Sequence, residues 1–125
     1  MKLRAKPLVA GTLFVAGAFY LYYPNPFWPT SRLLGALERK DDLHRLIAAG
    51  ELGSRALTDP ERVIPGLIPA LGDRWDEVGG SVSASLCRAG APAVPHLRRA
   101  LLHENARVRE MAGLTLECLK AKGLK

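Results

Sequence analysis

Cysteine, histidine and aromatic side chains are scarce in this chain, and each scarcity removes a class of chemistry. The three histidines are His44, His96 and His103. His96 and His103 are seven residues apart and can share a helix face beside Glu104, yet His103-Glu104 lacks the second histidine four positions on that a metalloprotease helix requires. Three Phe, three Tyr and two Trp leave little to stack on bases, which argues against nucleic acid as a partner. Gly79-Gly80-Ser81 has neither the Gly-x-x-x-x-Gly-Lys spacing nor the preceding strand of a phosphate loop. No acid, base and nucleophile converge, so the expectation is a protein that is not an enzyme, with no catalytic residue, no metal and no cofactor. Cys87 and Cys118 are the only cysteines. Neighbouring helix axes lie about 8–10 Å apart, whereas a disulfide holds its Cα atoms within about 7 Å, so separate thiols are expected ahead of a bridge.

Charge is absent from Pro7 to Tyr23, immediately after a head carrying Lys2, Arg4 and Lys6. This is the pattern of a secretory signal or an uncleaved anchor. Ala16-Gly17-Ala18 offers a small-x-small cleavage site, but the apolar run continues past it through Phe19-Tyr20-Leu21-Tyr22-Tyr23. Residues 1–23 are therefore read as a signal anchor or transmembrane helix, with a secreted, cleaved form as the alternative. The seventeen uncharged residues would span roughly 26 Å as a helix, slightly under the hydrocarbon thickness of a bilayer. Tyr20, Tyr22, Tyr23, Phe27 and Trp28 would then form an aromatic belt at the far membrane interface. The basic head places the N-terminus in the cytoplasm and everything beyond Pro24 on the outer, periplasmic or extracellular side. Residues 24–30, with Pro24, Pro26 and Pro29, read as an extended linker.

The stretch from Glu61 to Leu119 contains one pattern twice, thirty residues apart. Pro65, Leu67, Ala70 and Leu71 recur as Pro95, Leu97, Ala100 and Leu101, and Val78, Val82 and Leu86 fall on Val108, Ala112 and Leu116 without a gap. Self-similarity of this length marks stacked helical units. Asp59-Pro60-Glu61 starts a helix well, although Pro65 and Pro69 should bend it or move its start. Asp76 to Arg88 contains Gly79-Gly80, which costs roughly 2 kcal/mol in a helix interior, and alternates like a strand over Ser81–Leu86; the repeat register decides for helix. Ala93–Leu102 and Ala106–Lys120 form the better second pair. Upstream, a helix from Thr30 or Ser31 to Lys40 and another capped by Asp41-Asp42, ending near Gly50 or Gly53, make a degenerate first unit. The fold class is all-α: a short α-solenoid of two clear helix pairs and one degenerate N-terminal pair, preceded by a transmembrane helix, with the repeat domain over 31–125.

Val94-Pro95-x-Leu97-x-x-Ala100-Leu101, a polar turn, and Val108-Arg109-x-x-Ala112-x-x-x-Leu116-x-x-Leu119 resemble the short bacterial HEAT-like repeat, the class also found in phycobilisome lyase subunits. The resemblance implies antiparallel helix pairs in a right-handed superhelix, used mainly to bind other proteins. It also implies an arginine, here Arg109, that meets an acid of the inter-helix turn. Gly79 stands where the preceding unit should carry that arginine, so no polar ladder between units is expected.

The net charge of +6 divides into +3 in the head, −2 over Ser31–Leu86 and +5 from Cys87 onward. Arg98, Arg99, Arg107 and Arg109 cluster around one turn and form the candidate partner-binding patch, for an acidic protein or for anionic lipid. The expected function is that of a membrane-anchored adaptor or scaffold for an unidentified protein partner. An accessory subunit of a lyase or maturation enzyme is the alternative that the resemblance supplies.

Overall fold

A computed structural model describes residues 17–124 of the chain. Every regular element in that range is helical. Residues 17–22 are helical and lead into the proline-rich segment. Then come α1 (Thr30–Ala36), α2 (Asp42–Arg55), α3 (Pro60–Leu67), a 3₁₀ continuation (Ile68–Gly72), α4 (Asp76–Ala89), a short 3₁₀ turn (Ala91–Ala93), α5 (Val94–Ala100) and α6 (Ala106–Ala121).

Two helices differ from expectation in length. The first ends at Ala36 rather than Lys40, and α2 runs through Gly50 and Gly53 to Arg55. Neither glycine takes the left-handed conformation that would close a helix, and burial of Ala48, Ala49, Leu52 and Gly53 against the following unit outweighs the propensity cost. Pro60 occupies the opening turn of α3, where a missing N–H removes nothing. Pro69 leaves the ladder one donor short, and from Ile68 the chain tightens into 3₁₀ geometry instead of kinking. Asp76–Ala89 is one continuous helix despite its strand-like alternation, closed by Gly90 at φ 78°, a conformation that a side chain would strain.

The helices pair in sequence, α1 with α2, α3 and its continuation with α4, and α5 with α6, and each pair packs on the next. The starts of α4 and α6 lie thirty residues apart, at Asp76 and Ala106, as the repeat requires. Leu33, Leu52, Ile64, Leu67, Leu71, Leu86, Leu97 and Leu119 are fully enclosed and form one continuous core. Trp28 belongs to that core at 7% exposure, with the Arg32 guanidinium over its ring. It is therefore not part of an exposed aromatic belt.

Cys87 and Cys118 are joined, with Cα atoms 6.2 Å apart. The expectation of separate thiols compared the wrong distances. Cα atoms ride about 2.3 Å off a helix axis, so residues facing each other across two helices approach several ångströms closer than the axes do. The bridge ties the C-terminal parts of α4 and α6 and closes a loop with a sequence separation of 31.

Among the described residues no helix is long and apolar enough to cross a membrane. The anchor expected over residues 1–23 falls mostly on residues outside the described range, including Lys2, Arg4 and Lys6.

Loop-closure entropy for this spacing is worth about 3–4 kcal/mol. Replacing both cysteines by serine is expected to lower the unfolding free energy by about that amount in urea titrations, and reducing agent is expected to do the same to the natural chain but not to the variant.

Candidate interaction surface

The N-termini of α2, α4 and α6 lie along one edge of the stack, and the turns before them are bound to one another. Asp41 caps α2 by accepting from the Leu43 N–H at 3.0 Å, and Asn105 caps α6 by accepting from Arg107 and Val108. Four residues beyond each cap stands an arginine with the same task. Arg45 Nη1 donates to the Arg39 and Lys40 carbonyls at 2.8 and 3.0 Å, and Arg109 Nη1 donates to those of His103 and Glu104 at 2.7 and 3.1 Å. Each guanidinium thus satisfies carbonyls of the turn that precedes its own helix, beyond the end of the helix before.

Arg45 also crosses between units. Its side chain is 5% exposed, and it reaches the 8% exposed carboxylate of Asp73, Nε donating to Oδ2 at 2.7 Å and Nη2 to Oδ1 at 3.1 Å. Asp73 Oδ1 in turn accepts from the Trp75 N–H at the start of α4. Arg45 pairs with Asp42 as well, and Arg74 donates to the Lys40 carbonyl and Asp42, while Arg107 pairs with Asp76. The Asp73 carboxylate first, then Asp42, holds the Arg45 guanidinium above its already high range. Asp42 is held below the usual carboxylate range, chiefly by its hydrogen bond from Arg45.

A polar ladder between units therefore exists, contrary to the expectation drawn from Gly79. At Gly79 an added Cβ would stand 3.1 Å from the Leu71 carbonyl oxygen, a tight approach of α4 to the preceding 3₁₀ segment, and the cation of this turn comes instead from Arg45 of the first unit. Arg109, expected to meet an acid, meets only carbonyls. Sequence reasoning missed Arg45 and Asp73; the signal was available in Asp41-x-x-x-Arg45 repeated as Asn105-x-x-x-Arg109.

The four arginines proposed as a partner patch do not act as one group. Arg107 and Arg109 are engaged in the turn ladder. Arg99 donates to His96 Nδ1 at 2.9 Å and, with His103, Pro65 and Ile68, lines a shallow depression of about 460 Å³. Burial first and then the Arg99 charge push His96 below the usual imidazole range. Arg98 faces elsewhere, beside Leu101, Leu116, Lys120 and Leu124.

The expected aromatic belt is also divided. Phe27 at 86% exposure, Tyr20 and Tyr22 remain on the surface together with Phe19 and Leu21. Tyr22 and Tyr23 pack against His44, with ring centroids 4.6 and 4.8 Å away. His44 is wholly buried; its Nε2 lies 2.8 Å from the Tyr22 carbonyl, and its Nδ1 is hydrogen-bonded with the Asp41 carboxylate at 3.0 Å. That hydrogen bond is the main reason the Asp41 carboxyl lies below its ordinary range. Arg55 fastens the next stretch by donating to the Pro26 carbonyl and to Thr30 Oγ1. The segment expected to be a linker is thus clamped onto α2.

No protein-family model, curated protein or solved structure matches the chain. Its own geometry is accordingly the basis for a functional reading. Among the described residues no group of three or more His, Cys, Asp or Glu side chains is arranged to hold a metal ion.

Breaking a buried ion pair from one side costs about 3–5 kcal/mol because the partner charge is left unpaired. Arg45→Met is expected to lose about that much in urea unfolding at pH 7, and Arg109→Met, at an exposed site, about 1 kcal/mol. The lowered Asp42 carboxyl sets a second expectation, with a defined sign. A group whose folded value lies below its unfolded value of 3.8 contributes stability that is present above pH 3.8 and lost as pH falls through the folded value. The melting-temperature deficit of Asp42→Asn relative to the natural chain should therefore be constant above that pH and shrink toward zero in stronger acid, as thermal melts from pH 2 to pH 7 will show.

Proposed function

We propose that the chain is a short α-solenoid of HEAT-like units, acting as an adaptor that presents a helical surface to a protein partner on the outer side of a membrane. The observation that carries the reading is the succession of helix pairs joined through their turns by Arg45, Asp73, Arg107 and Asp76. Such a ladder fixes the pitch of neighbouring pairs and makes a rigid, extended surface, the usual asset of a repeat protein. The likeness of residues 94–119 to the HEAT-like pattern supports the same reading.

The disulfide supports the compartment. A bridge between Cys87 and Cys118 persists in oxidising surroundings such as a periplasm or an extracellular space, and is lost in a reducing cytosol. It agrees with the orientation that Lys2, Arg4 and Lys6 would impose on an uncleaved anchor. The exposed Phe19, Tyr20, Leu21 and Phe27 suit a position next to the membrane surface.

The test is thiol labelling of the full chain in intact cells with a membrane-impermeant maleimide. Labelling should be negligible until a reductant is added and should then reach the exposed Cys118 without lysis, with the chain in the membrane fraction. Free thiols in untreated cells, or labelling only after lysis, would rule out the outer location. Crosslinking in the same membranes would overturn the adaptor function if it captured nothing but the chain itself.

A further inference from the structure

The thirty-residue register picks out an apolar face of the third unit whose counterpart in the second unit is covered. Leu71 and Leu86 of the second unit correspond to Leu101 and Leu116 of the third. In the second unit both leucines are fully buried, where the 3₁₀ segment and α4 pack on α6 of the following unit. In the third unit no further pair follows within the described residues. Leu101 is 42% exposed there, and Leu116 and Leu124 are half-buried. The three leucines floor a depression of about 540 Å³ between α5 and α6.

The rim of this depression has changed in a consistent direction. Ile68, buried in the second unit, is replaced by Arg98, and Gly90 by Lys120. Arg98 and Lys120 are both exposed, and neither pairs with a carboxylate among the described residues. A face meant only for solvent would have exchanged the leucines for polar residues. Here the leucines are kept and the border is made cationic. Tail-to-tail association of two copies would set Arg98 and Lys120 against their own counterparts, so the charge selects against self-pairing.

We propose that the depression lined by Arg98, Leu101, Leu116, Lys120 and Leu124 is a docking groove for one amphipathic helix of a partner protein, with leucine-like residues along its apolar face and carboxylates flanking them. The helix packs on the third unit as α6 packs on the second, burying its apolar ridge on the leucines and meeting Arg98 and Lys120 with its acids. This occupant rests on the adaptor reading and gives its partner a chemistry. Binding should weaken with salt, because the flanking pairs remain solvated.

The test uses the full chain in nanodiscs of zwitterionic lipid and two labelled synthetic helices, one with leucines at positions i, i+3 and i+7 flanked by glutamates, the other identical but with lysines for the glutamates. Fluorescence anisotropy should show the glutamate helix binding at least tenfold more tightly than the lysine helix. Arg98→Glu combined with Lys120→Glu should reverse that preference, while circular dichroism and the disulfide remain as in the natural chain, since both side chains are exposed. Leu116→Ser should weaken both helices alike. The proposal is overturned if the two helices bind equally, if the double variant keeps the original preference, if vesicles of anionic phospholipid displace the glutamate helix from the groove, or if light scattering finds a dimer that Leu101→Glu abolishes. A negative result with an intact melting curve and disulfide removes the groove and leaves the repeat stack and its location standing.

Discussion

The structure depends on one buried guanidinium. Arg45 meets the carbonyls of Arg39 and Lys40, the carboxylate of Asp73 and that of Asp42, and so joins the turn between α1 and α2, the start of α2 and the turn before α4 in a single cluster. Removing a charge of that kind from water is costly unless its donors are met by acceptors, and here the acceptors come from two successive units. Hydrophobic burial holds the helices together but tolerates some sliding between them. Directional bonds between fixed turns do not, and they set the rotation from one pair to the next.

A second constraint acts at the opposite ends of the helices. The turn ladder gathers the N-termini of α2, α4 and α6, whereas the Cys87–Cys118 bridge lies near the C-terminal ends of α4 and α6. A helix of this length is roughly 20 Å long, so the two fixings are well separated. Between them Ser83 and Thr115 share a hydrogen bond of 2.6 Å, with Thr115 also donating to the Met111 carbonyl. The second and third units are thereby held in one relative orientation along most of their contact.

Much of the all-helical architecture was legible in the sequence because the repeat carries it. Val78, Val82 and Leu86 sit on the inward face at the same spacing as Val108, Ala112 and Leu116, and that register correctly outvoted Gly79-Gly80. What was not legible were properties that depend on distance between units. The bridge was missed because axis separation was taken for Cα separation, and the ladder because a glycine was read as a missing arginine rather than as room for a close approach. The candidate arginines were grouped by sequence proximity, yet α5 and the turn after it direct Arg98 and Arg99 into different depressions. The clamp of Tyr22 and Tyr23 on His44 could not be anticipated either, since prolines in sequence announce only an extended backbone and not where it lies.

The closed loop made by the disulfide has a further consequence for how the molecule can be damaged. Cys87 and Cys118 bracket the exposed turn at Leu102, Glu104 and Asn105, the region between α5 and α6 where a protease would find accessible backbone. A cut there opens a ring rather than severing a chain. Both pieces stay covalently attached, one through α4 and the other through α6, and each remains packed on its neighbour. A molecule nicked at this turn therefore keeps its third unit in place.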